Sequence, residues 1–138
     1  MGNLFHEVFE VNTPAREEGL WEIISSASRI PQFWHGTRWI KNIEGKRYRI
    51  RFAFPAKGVV DFIYNCDRKT AKEIYVRGPF KGEKTVSISS RENERLVRVE
   101  WNVRFSFPYN IFKAKMRDHM SQGTMSAINR IIAAASSQ

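Results

Sequence analysis

The sequence has only one cysteine, Cys66, in 138 residues. A single cysteine excludes an internal disulfide framework and a cysteine-based zinc site. No apolar run approaches the roughly 18 residues that a membrane-spanning helix needs, and residues 1–7 lack the basic and apolar regions of a secretory signal. His6 stands where an N-myristoylation motif has Ser or Thr. An unpaired thiol without a signal predicts a cytoplasmic protein.

Metal-binding patterns are also missing. The 3 histidines lie far apart in the sequence, and none has the HxH or HExxH spacing of a metal site. The chain has no internal repeat, no low-complexity segment and no linker. We therefore expect one domain over residues 1–138, with no metal and no cofactor.

Positive charge is what the sequence has in excess. It carries 23 Lys and Arg against 14 Asp and Glu, a formal net charge of +9. This balance is compatible with nucleic acid, an anionic membrane or an acidic ligand as a partner. Aromatic residues are abundant as well, with 10 Phe, 4 Trp and 4 Tyr. Such side chains need either a thick core or the wall of an apolar cavity.

Hydrophobic periodicity predicts one strand, two short helices, six consecutive strands and a long C-terminal helix. Thr13 and Pro14 are expected to begin the first helix, with Glu17 and Glu18 in its first turn. The predicted helices are the one after Pro14, one over 28–34 and one over 111–135. The predicted strands cover 5–11, 37–44, 47–54, 59–68, 72–77, 84–91 and 95–107.

The long helix has two notable positions. Asn110 precedes it and is expected to act as its N-cap. Gly123 interrupts its middle, where glycine costs about 1 kcal/mol relative to alanine. We expect another part of the chain to pack closely against the backbone there.

This order of elements resembles the helix-grip fold of the START and pollen-allergen-like (SRPBCC) superfamily. Residues 9–14 (FEVNTP) and 19–24 (GLWEII) look like its first strand, proline turn and aliphatic-Trp helix, and residues 30–36 (IPQFWHG) resemble the segment before its second strand. The length is similar to that of small polyketide-cyclase and coenzyme-Q-binding-like members. The resemblance implies an α+β fold in which a curved, antiparallel, seven-stranded sheet (β-α-α-β6-α) surrounds the long C-terminal helix.

The resemblance also implies a cavity between the curved sheet and that helix. A hydrophobic small molecule such as a lipid, quinone, isoprenoid or polyketide would bind there, and transport of that molecule is a further expectation. By strand alternation, the inward face is expected to be almost entirely apolar. The same side chains would also suit a filled core. The predicted lining consists of Phe9, Trp34, Tyr48, Phe52, Phe62, Tyr64, Trp101, Phe105, Tyr109, Met116, His119 and Met120.

A cyclase- or dehydratase-like enzyme acting in the same cavity is the alternative that the resemblance offers. Tyr64, Tyr109 and His119 would polarise a carbonyl there. Because no inward Asp–His or Glu–His pair is apparent, we favour binding without catalysis and assign no catalytic residue. Cys66 is expected to be a small buried hydrophobic residue.

A further alternative is an interaction module that uses a basic surface. Arg47, Arg49 and Arg51 alternate to the outward face of their strand. Asp61, Glu73 and Glu100 are expected to lie among them on the same convex side and to form cross-strand ion pairs. Nucleic acid is therefore not favoured, whereas a transient contact with an anionic membrane is compatible with a lipid carrier. Nothing in the sequence predicts the oligomeric state.

Overall fold

A computed structural model describes residues 2–137 of the chain. Two 3₁₀ turns, Ala27–Arg29 and Tyr109–Phe112, precede the second and third helices. The elements are β1 Leu4–Thr13, α1 Glu17–Ile24, α2 Ile30–Phe33, β2 Thr37–Glu44, β3 Arg47–Phe52, β4 Lys57–Asn65, β5 Thr70–Arg77, β6 Phe80–Arg91, β7 Glu94–Phe105 and α3 Lys113–Ser136.

All seven strands form one antiparallel sheet in the order β1-β7-β6-β5-β4-β3-β2. Consecutive strands from β2 to β7 are therefore neighbours, and β1 adds at the β7 edge. Gly45 has a φ of +54° in the hairpin between β2 and β3, a left-handed conformation that glycine adopts without a steric penalty. The predicted architecture is confirmed: a curved sheet packs around a long C-terminal helix.

The core lies between the concave face of the sheet and the helices. Alternate residues of β7 from Val97 to Phe105 are buried, because successive side chains of a strand point to opposite faces. The C-terminal half of α3 covers this core with Thr124, Ile128 and Ile131, all buried. The N-terminal half is only partly buried and has Met116 and Met120 against the core.

The first helix begins later than the sequence predicts. Its N-cap is Arg16, and Glu17 and Glu18 occupy the first turn as expected. Thr13 remains in β1, where its hydroxyl oxygen accepts a hydrogen bond from the Ala15 N–H at 3.1 Å. The threonine therefore shapes the turn around the proline instead of capping the helix.

Four further expectations are wrong. Strand β7 ends at Phe105, and Phe107, which precedes Pro108, is exposed; proline has no N–H for a sheet hydrogen bond. Asn110 lies inside the 3₁₀ turn before α3 and does not cap that helix. Apart from its own stretch of helix, a Cβ on Gly123 would meet no atom within 4 Å, so no other part of the described chain packs closely there. Cys66 follows the end of β4 and is exposed.

Candidate functional site

Two charged side chains lie on the otherwise apolar concave face. Glu73 of β5 and Lys84 of β6 face each other directly across the two strands. The ammonium nitrogen of Lys84 lies 3.0 Å from Oε2 of Glu73, and the two side chains are 2% and 5% exposed, respectively. The expectation that Glu73 lies on the convex side, and that the inward face is almost entirely apolar, is therefore wrong.

Strand alternation explains this placement. Glu73 lies two residues from both Ala71 and Tyr75, which are buried. Lys84 has the same relation to Val86. The strands also begin earlier than predicted, at Thr70 and Phe80. The inward position of Lys84 was available from its spacing to Val86 and Ile88, but an isolated lysine at a strand start is usually a solvent-exposed residue.

Aromatic rings enclose the Glu73–Lys84 ion pair. The Lys84 ammonium lies 3.3 Å from the ring centroid of Trp34 and 5.1 Å from that of Trp101. The hydroxyl of Tyr75 donates a hydrogen bond to Oε1 of Glu73 at 2.8 Å. Hydrogen bonds and cation–π contacts thus replace water around both charges. We call Glu73, Tyr75 and Lys84 the polar trio.

A hydrogen bond links the concave face to α3 beside the polar trio. The indole N–H of Trp101 donates to the Thr124 hydroxyl at 2.8 Å. That hydroxyl donates in turn to the backbone carbonyl of Met120 at 2.7 Å. Both buried polar groups are satisfied, and the C-terminal half of α3 is held in register against β7.

Burial dominates the electrostatics of the site. It lowers the pKa of Lys84, an effect that the neighbouring Glu73 carboxylate opposes. The pKa values of Tyr75 and Tyr64 are raised well above the usual phenol range. Burial is the largest cause, and the negative charge of Glu73 is the second. Both tyrosines therefore stay protonated at neutral pH and are hydrogen-bond donors.

A small cavity lies beside Glu73, between the helices and strands β4 to β6. The space within it that the centre of a water molecule can occupy is about 20 Å³. That is room for about one water molecule, whereas sites for small molecules usually measure about 300–1,000 Å³. Side chains fill most of the gap between sheet and helices. The lining residues are Ile23, Ile24, Arg29, Ile30, Phe33, Trp34, Phe62, Tyr64, Ala71, Glu73, Val86 and Ile131.

The residues predicted from the sequence to line the cavity fall into three groups. Trp34, Phe62 and Tyr64 line the cavity, with Tyr64 37% exposed at its outer side. His119 is exposed on α3, because the buried stripe of this helix runs through Thr124, Ala127, Ile128 and Ile131. The others belong to the core or pack against it: Phe9, Tyr48, Phe52, Trp101, Phe105, Tyr109, Met116 and Met120.

On the convex face, the predicted ion pairs form only in part. Arg47 faces Asp61 and binds its carboxylate through two hydrogen bonds of 2.9 and 3.0 Å. The Arg47 hydrogen bond lowers the pKa of Asp61. Arg49 faces Lys41 and Arg51 faces Lys57, so neither has an acidic partner directly opposite.

Neither a metal cluster nor a membrane-spanning helix is found among residues 2–137. Within this range, no group of three or more His, Cys, Asp or Glu is arranged to hold a metal ion. The described helices are too short or too polar to cross a bilayer. The cytoplasmic location stays a prediction.

Solved structures share this fold at low sequence identity. An aromatase/cyclase from Streptomyces superposes with a TM-score of 0.76 at 9% identity, covering 96% of this chain and 93% of its own. A START superfamily protein from Mycobacterium smegmatis gives 0.65 at 15% identity, with 94% and 99% covered. The major latex-like protein of Panax ginseng gives 0.69 at 10% identity, with 94% and 96% covered.

Comparison by sequence finds no such similarity. No family model matches the chain, and no curated protein matches it. The likeness is one of structure, and it extends over nearly the whole chain. The chain has the helix-grip fold of the START/SRPBCC superfamily, as its sequence resemblance implies.

Proposed function

We propose that this helix-grip protein binds a hydrophobic small molecule, such as a lipid, quinone, isoprenoid or polyketide, between its sheet and its helices. One observation carries the proposal: the cavity has a largely apolar wall and a single carboxylate, Glu73, that belongs to a buried ion pair. An apolar wall with a few fixed polar groups is the usual composition of a small-molecule site.

A core that serves only for packing does not need a buried ion pair such as the one in the polar trio. Replacing a buried ion pair by apolar residues of similar volume is often neutral or stabilising, by about 1–4 kcal/mol. Glu73 and Lys84 therefore favour a role beyond stability. The Glu73 carboxylate lines the cavity and has lone pairs beyond those used by Tyr75 and Lys84. It would accept a hydrogen bond from a hydroxyl or similar donor at the polar end of the ligand.

Ligand binding requires the cavity to enlarge. Its outer wall consists of α1, the four-residue helix α2 and the side chain of Tyr64. Helix α2 is tied to α3 by one hydrogen bond, from the Arg130 guanidinium to the Phe33 carbonyl at 3.0 Å. We expect this wall to move outward when the ligand enters. Removal of the ligand's apolar surface from water, at about 25 cal/mol per Å², would drive the binding.

The enlarged site would extend toward the N-terminal half of α3. Met116 and Met120 are partly buried there, and methionine adapts to irregular apolar shapes. The aromatic side chains of β3 and β7 lie on the same concave face. Those that we include in the proposed site are Tyr48, Phe52, Trp101 and Phe105.

Two substitutions that change the cavity volume in opposite directions test the proposal. Ala71→Phe fills the cavity and Phe62→Ala enlarges it, because both residues line it. Lys72→Phe is the matched control, since Lys72 follows Ala71 and points to the opposite face. Binding of oleate, farnesol, a short-chain quinone and emodin is measured by calorimetry, with melting curves to confirm folding.

For at least one of these probes we expect Ala71→Phe to weaken binding by about tenfold or more, the equivalent of one lost apolar side-chain contact. Phe62→Ala should bind as well as the parent or more tightly. Lys72→Phe should leave the dissociation constant unchanged. If none of the probes binds, or if filling the cavity changes nothing, the proposal is wrong.

Cyclase- or dehydratase-like catalysis in the same cavity is the second candidate. The observation in its favour is that the buried Glu73 carboxylate lines the cavity and contacts two hydrogen-bond donors, Tyr75 and Lys84. Such an arrangement suits proton transfer to or from a ligand. Glu73→Gln made together with Lys84→Met, so that no charge is left buried alone, would then abolish turnover of a polyketide-like substrate while leaving its dissociation constant within about threefold, since the amide keeps the size and an acceptor.

A further inference from the structure

Four stretches of chain meet at one end of the sheet: residues 2–5, 51–58, 76–81 and 103–117. The Phe105 N–H donates to the Asn3 carbonyl and the Ser106 N–H donates to the Pro79 carbonyl, both at 2.8 Å. The rings of Phe54 and Tyr109 lie 6.2 Å apart. We call this region the β7–α3 end.

Within the four stretches of the β7–α3 end every charged side chain is basic, and Asp118, directly after the last stretch, is the next acidic residue on α3. None of the four stretches contains Asp or Glu. No ion pair involves their basic side chains within residues 2–137. Those side chains are Arg51, Lys57, Arg77, Lys81, Arg104, Lys113, Lys115 and Arg117.

Strand register places some of these cations opposite one another. Lys81 faces Arg104 across β6 and β7, and Arg51 faces Lys57 across β3 and β4. Like charges at directly facing positions destabilise a sheet. Away from this end, Lys41 also faces Arg49, but several facing pairs there carry opposite charges, such as Arg47 with Asp61. The β7–α3 end differs because its four stretches contain no acidic residue, a charge arrangement that favours an anionic partner.

The same end exposes the most accessible large hydrophobic side chains of the described chain. Phe107, Ile111 and Phe112 are 80%, 66% and 61% exposed. They lie within six residues of one another on the segment that leads from β7 into α3. Neighbouring exposed apolar side chains of this size mark an interaction site.

We propose that the β7–α3 end docks on the surface of an anionic lipid bilayer. Phe107, Ile111 and Phe112 would insert at the boundary of headgroups and acyl chains, while the surrounding Lys and Arg contact the anionic headgroups. A single nucleic-acid strand is a poorer fit, because such strands bind in grooves and stack on ring faces. Ile111 has no ring, and a side chain that is 80% exposed, as Phe107 is, projects instead of lining a groove.

This inference does not rest on the proposed ligand site. Docking uses residues outside the cavity lining, and it requires no guest molecule. The two proposals therefore fail separately: ligand binding in solution tests the first, and binding to lipid vesicles tests the second.

Co-sedimentation with vesicles gives the direct test. Vesicles of phosphatidylcholine alone are compared with vesicles that contain one-third phosphatidylserine, at low and high salt. The parent protein should bind the anionic vesicles, and added salt should weaken the binding because the charges lie at the surface. Absence of binding to anionic vesicles, or equal binding to both compositions, would overturn the proposal.

Substitutions at exposed positions test whether the β7–α3 end is the surface that contacts the vesicle. Phe107→Ser with Phe112→Ser should weaken vesicle binding by about tenfold or more. Ile43→Ser with Ile63→Ser is the control pair, since both residues are exposed elsewhere; it should leave binding unchanged. A larger loss in the control pair would show that another surface docks.

A charge variant completes the test. Lys113→Gln with Lys115→Gln should weaken binding to anionic vesicles roughly thirtyfold. Lys46→Gln with Arg68→Gln removes the same charge from exposed positions outside the β7–α3 end and should have a much smaller effect. Equal losses in the two variants would indicate net charge alone. Tighter binding to single-stranded RNA than to the vesicles would identify the other class of partner.

Discussion

Two ion pairs occupy equivalent positions on opposite faces of the sheet. Glu73 and Lys84 face each other on the concave side at 3.0 Å, and Arg47 and Asp61 face each other on the convex side at 2.9 Å. Both pairs join directly facing residues, and their distances are similar. The two pairs differ in their exposure to water. The concave pair is enclosed by Trp34 and Trp101, whereas Arg47 of the convex pair is about half exposed.

Burial, more than geometry, sets the energetic consequence of an ion pair. Solvent reaches the convex pair through the half-exposed Arg47, although Asp61 itself is buried, and ion pairs with an exposed partner contribute about 0–1 kcal/mol. The concave pair has lost its hydration, so each charge depends on the other. The convex pair is an ordinary surface contact. The concave pair limits which residues this core tolerates at the two positions.

Breaking the concave pair should have the largest effect. Lys84→Met leaves the Glu73 carboxylate buried with only the Tyr75 hydroxyl as a partner. We expect the free energy of unfolding, measured in urea, to fall by about 3–5 kcal/mol. The matched control is Lys84→Met with Glu73→Gln, which removes both charges and should recover most of the loss. A double variant as unstable as the single one would show that the charge is not the cause.

The hydrogen bond beside the pair should have the next largest effect. Thr124→Val keeps the shape of the side chain but removes the acceptor of the buried Trp101 indole. The unfolding free energy should fall by about 1–3 kcal/mol because a buried donor is left unsatisfied. Thr124→Val made in a Trp101→Phe background should cost less than it does alone. Additive losses would argue against a coupling between the two side chains.

How far the sequence predicts this structure depends on the face of the sheet. The alternation of β7 from Val97 to Phe105 and the periodicity of α3 predicted the fold, because a repeated pattern over many residues outweighs any one position. Lys84 and Glu73 were not predicted, because they are single charged residues within apolar patterns. Alternation with Val86 indicates the inward position of Lys84, but the partner that makes a buried charge tolerable lies on another strand, and no local pattern contains it.

The sequence likewise does not predict the volume of the gap between the sheet and the helices. The same Phe, Trp and Met residues line an open cavity or fill a closed core, and only the packing of Trp34, Phe62 and Tyr64 distinguishes the two. Phe107 shows the other limit: it continues the alternation of Phe105, but β7 already ends at Phe105, shortly before Pro108.

Removing the convex pair should have a small effect. Arg47→Ala should lower the unfolding free energy by less than about 1 kcal/mol at neutral pH, because the arginine is half exposed and the pair is screened. The same urea titration measures it, beside Lys84→Met in identical buffer. A loss as large as that of Lys84→Met would remove the distinction between the two faces.

The smallest effect is the pH dependence of the convex pair. Arg47 lowers the pKa of Asp61 in the folded protein. The resulting stabilisation is present above the ordinary aspartate pKa of about 3.9, and it is lost as the pH falls through the lower, folded value. Melting temperatures of the parent and of Asp61→Asn should therefore converge as the pH falls below about 4. A gap that widens on acidification would have the wrong sign.

Methyl resonances tell most directly whether the gap behind the polar trio receives a guest. The methyl groups of Ile24, Val86 and Ile131 line the cavity, whereas Ile63 and Val76 are exposed on the other face of the sheet. Methyl NMR spectra are recorded while oleate, farnesol, a short-chain quinone or emodin is added. We predict that at least one probe shifts the three cavity methyls in a saturable manner and leaves Ile63 and Val76 in place. Cavity methyls that stay unchanged with all four probes would contradict the proposed function.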